Sequence, residues 1–475
     1  MAATVPRTLS DLPDDVLRRI LFFAPAREGA STAVLSRRWR YLWRASGALN
    51  INSRSFSSVR LAHHPDDLVG AAEELLRVEL KDRHGGGLSA AFSLPSQALR
   101  LVRISNCHSL TAAPPAATAF PRLSELRLHK CTVPIADLQR IAGAAPQLAT
   151  LHLESCYIPG PEQQGFHMPP PEIQRRQLVF PVVTDLVLAD GRYEPRAMLE
   201  LDVPSLRYFR FDGSLQRCCN QVSLKQQASP NMVRVDLWLK DEPTYGEQVL
   251  DPFWQFIRNF SAAKVLKIEL DYLLFLHGIA LTHDRSRDEL LGSLSFPNLE
   301  RLELEGGYEA ANEASMVMLA DLLHCCPLLQ NLRLKLIKDR FMVVSSVDKE
   351  ARVYFDKSID RFRCRKSPII SLGGEEDNEN HDEVCNIPGL SGESLDCLRS
   401  SLRRVSLHFC MEEADCLGVQ LAKFFAENAR VLEEIYLDDG SQKMTEHMNA
   451  SVRRWIANSA KTRNLAGIEV LVLPH

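Results

Sequence analysis

The amino-acid sequence is dominated by one spacing, apolar-x-x-apolar-x-apolar, which recurs twelve times along 475 residues. The three clearest copies begin at Leu99, Leu123 and Leu148, and each has a cysteine eight residues after its start. Recurrence at this period predicts an array of similar structural units, in which each unit packs against its neighbours in the sequence. The copies begin at Leu99, Leu123, Leu148, Val183, Leu206, Met232, Val265, Leu299, Leu329, Leu402, Leu432 and Ile468.

Apolar residues two positions apart predict a short strand in every copy, with the intervening side chains on the opposite face of the sheet. The segments between the strands predict helices and loops, and the clearest is a helix over 311–324. This spacing is typical of leucine-rich repeats. The predicted fold class is α/β, with three amino-terminal helices followed by an irregular solenoid whose parallel strands lie on the concave face and whose helices or loops lie on the convex face.

The outward positions of the predicted strands carry the candidate binding residues. In the central outward column, basic side chains are followed by three acids, Asp236, Glu269 and Glu303, and then by Arg333. Trp238 falls in an outward register, and tryptophan is a frequent anchor in protein interfaces. We predict a target-binding concave face, and charged strand residues that are simply solvated are the alternative. The predicted residues are Arg103, Arg127, His152, Arg210, Trp238, Glu269, Glu303 and Arg333.

A pattern of three helices precedes the array, within residues 9–50. Pro13 and two following aspartates stand at a predicted helix start, an apolar stripe follows at positions 16, 17, 20 and 21, and Pro25 ends the helix. A second short helix is predicted from Ser31, and Ser36 is the expected N-cap of a third. Three helices in about 40 residues rarely bury enough apolar surface to be stable alone, so a partner is predicted for this head.

The segments Leu12–Leu21 and Val34–Trp43 resemble an F-box along nearly its full length. The resemblance implies docking on the Skp-family adaptor of a cullin–RING ubiquitin ligase, and the locally basic head suits an acidic adaptor. Val16, Leu17 and Trp43 are assigned to internal packing. The chain departs from the family at 29–31, where Gly-Ala-Ser replaces a bulkier aliphatic residue, so a looser second helix or weaker adaptor binding is expected. The adaptor contacts implied are Leu12, Pro13, Ile20, Leu21, Val34, Leu35 and Trp39.

The repeat spacing lapses between Leu329 and Leu402, where the run 373–383 is too acidic to pack and is interpreted as a loop or as a gate over the concave face. After it, the segment Asn428–Glu434 and its strand-helix-strand context resemble the FBD-type carboxyl module of plant F-box proteins with leucine-rich repeats. The predicted domains are an F-box at 9–50, a helical or loop connector at 51–97, repeats at 98–345, an insertion at 346–400 and FBD-like repeats with a cap at 401–475.

The composition and net charge of the chain exclude further classes of function. The formal net charge of −4 provides no global field for nucleic acid, and no apolar run approaches the roughly 20 residues of a membrane helix. No secretory signal is visible, so a location in the cytoplasm or nucleus is expected. The twelve cysteines are spread along the chain, several at one repeat position, and are interpreted as reduced core residues.

The sequence contains no recognisable catalytic or phosphate-binding motif, so the chain is predicted to be a non-enzyme without cofactor or metal. The resemblance implies a substrate-recognition subunit of a Skp–cullin–F-box ubiquitin ligase, whose head binds the adaptor and whose repeats bind a target protein. Three alternatives stay open. They are a receptor gated by a small molecule held in a cavity lined by Arg103, Arg127 and Arg210, an adaptor-binding scaffold outside ubiquitination, and a hydrolase with its nucleophile in the insertion.

Overall fold

The described residues fall into two compact units, Met1–Asn231 and Met232–His475, called here the amino-terminal and carboxyl-terminal units. The acidic run 373–383 lies outside the described residues, so its interpretation as a loop or a gate stays untested. A computed structural model describes residues 8–32, 34–52, 76–80, 90–93, 99–107, 109–112, 120–159, 174–193, 197–214, 222–225, 231–240, 250–272, 294–308, 313–338, 387, 390, 395–409, 416–438, 452–453, 455–456 and 469–472.

The described residues of the amino-terminal unit begin with a short 3₁₀ helix and three α-helices, and continue as strands joined by turns and one further helix. The helices are the 3₁₀ helix Leu9–Asp11, α1 Asp14–Phe23, α2 Ala26–Thr32, α3 Arg37–Arg44 and α4 Ile135–Ala144. The strands are β1 Ala48–Asn52, β2 Leu76–Leu80, β3 Ala90–Ser93, β4 Leu101–Ser105, β5 Ser109–Ala112, β6 Glu125–His129, β7 Thr150–Glu154, β8 Tyr157–Ile158, β9 Gln174–Val179, β10 Asp185–Ala189, β11 Arg192–Tyr193, β12 Ala197–Asp202, β13 Tyr208–Ser214 and β14 Val222–Leu224.

The main sheet of this unit is parallel, in the order β1-β4-β6-β7-β10-β13. Smaller sheets accompany it: β11-β8 and β14-β12-β9 are parallel, and β3-β2-β5 is antiparallel. Two features were not expected. The array begins at β1, before the first predicted copy, and the described parts of the predicted connector, β2 and β3, are strands. The short alternation Leu49-x-Ile51 was the only signal of β1 in the sequence.

The carboxyl-terminal unit repeats the same arrangement. Its parallel strands run in the order β15-β16-β17-β18-β19-β20-β21. The predicted helix over 311–324 is present with slightly later bounds. The elements are β15 Arg234–Lys240, α5 Leu250–Arg258, β16 Val265–Tyr272, β17 Arg301–Tyr308, α6 Glu313–His324, β18 Asn331–Lys338, α7 Asp396–Ser400, β19 Arg404–His408, α8 Leu417–Asn428, β20 Glu434–Asp438 and β21 Glu469–Val472.

Strand pairing corrects the predicted register of two copies. Val265 pairs with Arg234 and Arg301, so the copy assigned to Val265 begins two residues earlier, at Ala263. Glu269 consequently leaves the central column and joins Trp238 and Glu305 in the third. The predicted run of three central acids is therefore wrong, because Lys267 separates Asp236 from Glu303. The last copy is shifted by one residue, since Val470 and not Leu471 pairs with Ile435.

The turn after each strand has a repeated conformation in the amino-terminal unit. Asn106, Lys130, Ser155 and Asp190 follow β4, β6, β7 and β10, and their φ angles of 59, 52, 50 and 48° lie in the left-handed region. Each backbone N–H donates to a carbonyl of the next strand, as Asn106 does to the His129 carbonyl at 2.8 Å. These bonds offset the cost of the left-handed backbone.

The repeated cysteines fill the position after this turn. Cys107, Cys131 and Cys156 are buried and reduced, as predicted. The Sγ–H groups of Cys131 and Cys156 donate to carbonyl oxygens of the preceding repeats, Ile104 at 3.4 Å and Leu128 at 3.3 Å. A small thiol therefore fits where the next turn of the array leaves little space.

Phenylalanine before proline fixes the start of several copies. Phe120, Phe180 and Phe296 are almost fully buried, while the proline after each begins the turn that leads into the strand. The Phe120 carbonyl accepts the N–H of Leu123 at 3.2 Å, and Phe296 does the same for Leu299. These pairs mark the chain's return to a strand, because the proline ring disfavours helix at the preceding residue.

Candidate functional site

The three helices of the head pack around a small core made by α1 and α3. Leu17 and Leu21 from α1 meet Trp39 and Leu42 from α3, and Leu12 and Trp43 pack against them. The predicted helix starts are close to those observed. Pro13 is the N-cap of α1, and the Ser36 hydroxyl caps α3 by accepting the N–H of Trp39 at 3.3 Å. The second helix differs, since α2 begins at Ala26 and ends at Thr32, before the apolar pair Val34 and Leu35.

Helix α1 carries two apolar stripes. Leu17 and Leu21 face the core of the head, whereas Val16, Ile20 and Phe23, spaced i, i+4, i+7, are exposed. Val16 was assigned to internal packing, and that assignment is wrong. An exposed apolar stripe on a short helix is the usual mark of a protein contact surface.

The predicted adaptor contacts divide by burial. Pro13 and Ile20 are exposed, Leu12 is partly buried, and Val34 and Leu35 are 87% and 70% exposed. Leu21 and Trp39 are instead buried at 3% and 6% exposure inside the head, so we withdraw them as direct contacts. In α3 the exposed large apolar side chain is Tyr41. The apolar surface that the head offers consists of Leu9, Pro13, Val16, Ile20, Phe23, Val34, Leu35 and Tyr41.

Arg38 holds the Leu12-Pro13 segment in place. From α3 its guanidinium donates to the Ser10 carbonyl, to the Leu12 carbonyl at 2.8 Å, and to the Asp14 carboxylate at 2.7 and 2.8 Å. The Trp39 indole N–H donates to the Ser10 hydroxyl at 3.2 Å. Charge-assisted bonds to backbone carbonyls on both sides of a loop fix its conformation, so the segment is ordered before any partner arrives.

Gly29 explains the departure from the family pattern in α2. A Cβ built at this residue would lie 2.5 Å from Nε1 and 2.7 Å from Cδ1 of Trp43. The indole therefore occupies the volume that a larger residue would fill, and the small side chain is a packing requirement. Since Trp43 takes that space, the predicted looseness of this helix has no support from the packing.

The head also packs on the first strand of the array. The Asn50 side-chain amide donates to the carbonyls of Phe22 and Ala24 at 3.0 Å each, which satisfies acceptors at the C-terminus of α1. Only residues 45–47 separate α3 from β1, and the Gly47 carbonyl accepts the N–H groups of Arg100 and Leu101 at 2.8 and 3.1 Å. The head thus has a packing partner in its own chain, which corrects the expectation that a second polypeptide must supply it.

The outward face of the amino-terminal unit brings two predicted arginines together. Arg103 and Arg127 are neighbours in register and both approach Glu125, Arg127 in close contact and Arg103 at 3.9 Å. His152 is next in the column, and its pKa is lowered by burial and by the Arg127 charge. This part of the predicted site is therefore one connected polar surface.

Arg210 is not part of the polar surface formed by Arg103, Arg127 and His152. This residue lies on β13, three strands from β6, which is about 14 Å at the usual spacing between neighbouring strands. Its guanidinium is 3.9 Å from Asp212, and the buried Val187 stands between it and His152 in the column. The arginine-lined cavity that the small-molecule hypothesis required is not formed by these three side chains.

The outward face of the carboxyl-terminal unit is a set of ion pairs. Arg234 pairs with Asp236 at 2.8 Å and Arg301 with Glu303 at 3.5 Å. Lys267 lies 3.0 Å from Glu269, while Glu305 accepts from Lys335. Trp238 is partly exposed in its predicted outward register, and Lys240 stacks 4.9 Å from its ring centroid. Most charges of the predicted site are therefore compensated within the sheet.

Sequence reasoning missed a polar chain on β19 and β20. Ser406 Oγ lies 3.2 Å from His408 Nε2, and His408 Nδ1 lies 3.1 Å from Asp438 Oδ2. The motif Ser-x-His on a predicted strand, opposite an acid two residues after Tyr436, was its only signal. This order of groups occurs in serine hydrolases, but β19 is paired on both sides, so its amides serve the sheet and form no oxyanion hole.

Within the described part of the chain, no group of three or more His, Cys, Asp or Glu side chains is placed to hold a metal ion. No helix of that part is both long and apolar enough to cross a bilayer. Buried thiols occur around α6 and α7, where burial raises the pKa of Cys325 and of Cys397 to about 12. Such thiols are protonated at neutral pH and are poor nucleophiles.

Two family models match the chain. The F-box domain matches residues 9–47, and the model described as FBD-associated F-box protein At5g56370, LRR repeats, matches residues 73–164. The FBD-like assignment of 401–475 is outside both matches and stays a prediction. The boundary of the first match agrees with the head described above, which ends where β1 begins.

Relatives from Arabidopsis thaliana match over short segments. FBD-associated F-box protein At4g10400 is 43% identical over 49 residues, 10% of this chain and 12% of the relative. F-box/LRR-repeat protein At4g14103 is 57% identical over 35 residues, 7% of this chain and 9% of the relative. Putative F-box/LRR-repeat protein At3g44090 is 37% identical over 93 residues, 18% of this chain and 19% of the relative. The matched segments thus span a fifth or less of these three relatives.

Among solved structures, an internalin from Listeria monocytogenes is 10% identical and covers 74% of this chain and 85% of its own, with a TM-score of 0.20. The fold assignment made here depends instead on the parallel strand pairing within each unit. Three helices, then parallel strands with repeated turns, match the arrangement predicted from the sequence. The chain therefore carries an F-box at residues 9–47 and FBD-associated leucine-rich repeats after it, the combination found in plant F-box proteins with leucine-rich repeats.

Proposed function

We propose that this chain is the substrate-recognition subunit of a Skp–cullin–F-box ubiquitin ligase, in which the head binds the Skp-type adaptor and the repeats bind a target protein. The observation that carries the proposal is the exposed apolar surface of the head. Val34 and Leu35 are 87% and 70% exposed, and the stripe through Ile20 on α1 is exposed as well. Burying this surface against an adaptor removes apolar area from water, the usual source of interface stability.

The chain itself supplies no chemistry in this proposal. Ubiquitin transfer is accelerated because the complex holds the target near the charged enzyme, which raises their effective concentration. The docking of the head on β1 through Asn50 supports this role, since it fixes the amino-terminal repeats relative to the adaptor. Residence in the cytoplasm or nucleus is part of the proposal and is tested by cell fractionation.

Capture of a purified Skp-type adaptor by the full chain tests the proposal. The variant Val34→Asp with Leu35→Asp places two charges on the exposed surface without touching the core, and we expect it to abolish capture. Leu328→Asp is the matched control, because Leu328 is 55% exposed in the other unit. Capture that survives the double variant, or that is lost equally in the control, removes the head as the adaptor-binding surface.

A further inference from the structure

Arg333 stands apart from the other charges on the outward face of the carboxyl-terminal unit. The described cations beside it in the sheet are compensated, since Arg301, Lys267 and Lys335 each lie close to a carboxylate. The Arg333 side chain is exposed and has no hydrogen bond or ion pair in the described part of the chain. Its register neighbour Glu303 is paired with Arg301, so among the described residues of this row Arg333 is the cation without an ion pair.

Two hydroxyl groups lie in the same row. Arg333 pairs in register with Ser406, and Ser406 pairs with Tyr436, so the three residues occupy neighbouring strands on the outward face. At the usual strand spacing their Cα atoms span about 10 Å, within reach of long side chains converging on one group. The Tyr436 hydroxyl has no hydrogen-bond partner within the described residues and is a second available donor.

The neighbouring outward row of β19 and β20, His408 and Asp438, orients Ser406 and Tyr436. His408 is hydrogen-bonded to Asp438 and to Ser406, and its ring packs 5.3 Å from the Tyr436 ring. The Asp438–His408–Ser406 chain thus fixes the serine hydroxyl and one face of the phenol. A site whose polar groups are oriented before the ligand arrives loses less conformational freedom on binding.

We infer that Arg333 and Tyr436, on either side of Ser406, form a recognition site for one carboxylate side chain, an aspartate or glutamate in a segment of the target protein. The guanidinium fork matches the two oxygens of a carboxylate, and the phenol hydroxyl supplies a further donor. A single negative charge suits the single uncompensated positive charge. The carboxylates of Glu303, Glu305 and Asp438 on the same face repel a doubly charged phosphate about twice as strongly as a singly charged carboxylate, so they favour the carboxylate.

This inference rests on the proposed function, because it names the chemistry of the target that the repeats would hold. The test selects short linear peptides of random sequence on the full-length protein, alongside a second library with one fixed phosphoserine. Affinities of the selected peptides are then measured by fluorescence polarisation for the wild type, Arg333→Gln, Arg333→Lys and Tyr436→Phe. Arg234→Gln is the matched control, because Arg234 lies on the same outward face three strands away and already has a carboxylate partner at 2.8 Å.

We expect the selected peptides to share one acidic position, whose change to asparagine or glutamine weakens binding about tenfold or more. Arg333→Gln should give a similar loss and make binding insensitive to that position, Arg333→Lys should recover part of it, and Arg234→Gln should bind as the wild type does. Peptides without a shared acid, equal losses in both glutamine variants, or selection of phosphoserine peptides alone would overturn the inference.

Adaptor capture on the same preparations separates this inference from the proposed function. Arg333→Gln should capture the adaptor normally, because Arg333 lies outside the head. If the wild type captured no adaptor yet bound acidic peptides through Arg333, the carboxylate site would stand and the ligase role would fall. Normal adaptor capture without any acid-dependent peptide would support the ligase role and refute the carboxylate site.

Discussion

Replacing Gly29 by alanine is the sharpest test of the packing of the head. In an ordinary helix this change stabilises by about 1 kcal/mol, because alanine restricts the unfolded backbone and is a better helix former. At Gly29 the new methyl group would lie 2.5 Å from the Trp43 indole nitrogen. Carbon atoms in contact normally stand about 3.5–4.0 Å apart, so the ring or the helix must move by roughly 1 Å.

Overpacking of this kind costs about 1–3 kcal/mol, which exceeds the gain in helix propensity. We expect a net loss of about 1 kcal/mol, which corresponds to local opening that is roughly fivefold more frequent. Hydrogen exchange of the α2 and α3 amides in the full chain measures that opening. Gly143→Ala in α4 is the matched control and should slow exchange locally. Among the described residues, no atom outside its own helix turn lies within 4 Å of the position that its methyl group would take.

The pairwise origin of the effect is tested with Trp43→Leu. A smaller side chain opens space above α2, so Gly29→Ala should be neutral or stabilising in the Trp43→Leu background. The difference between the two backgrounds is the interaction free energy of the pair. If Gly29→Ala slows exchange in the wild type, or if its penalty is the same in both backgrounds, the argument that the indole excludes a larger residue is refuted.

Three further outcomes follow from the geometry. Arg38→Ala should weaken adaptor binding about tenfold by releasing the Leu12-Pro13 segment, whereas Arg40→Ala should not, as measured by calorimetric titration with the adaptor. Asn50→Asp removes the two amide donors that hold α1 on β1, so the α1 amides should exchange faster, and unchanged rates would contradict the docking. Burial favours protonation of Glu305, but the Lys335 and Lys267 ammonium groups outweigh burial and lower the pKa of this carboxyl. The ionised Glu305 therefore stabilises the fold above the ordinary carboxyl pKa, and this stabilisation is lost as pH falls through the lowered pKa. Glu305→Gln should therefore destabilise the protein at neutral pH and lose that difference in acid, as denaturant unfolding at both pH values would show.

The sequence predicted the repeat strands and the head because both depend on local patterns. The apolar spacing placed the inward residues of most strands, and the cap at Ser36 and the stop at Pro25 defined helix ends that need only their own neighbours. The residues of the candidate surface were found for the same reason, because alternation along a strand decides which side chains face outward.

The tertiary structure decided the register of the strands and which apolar side chains pack against a second element. Val265 fits the apolar spacing as well as Ala263 does, because a shift of two residues leaves a strand's faces unchanged, and only pairing with Arg234 and Arg301 selects between them. On α1 the apolar pairs Val16, Leu17 and Ile20, Leu21 read as one stripe, yet the core of the head accepts only one member of each pair. A sequence pattern reports which side chains are apolar, whereas contact with a second element decides which of them leave water.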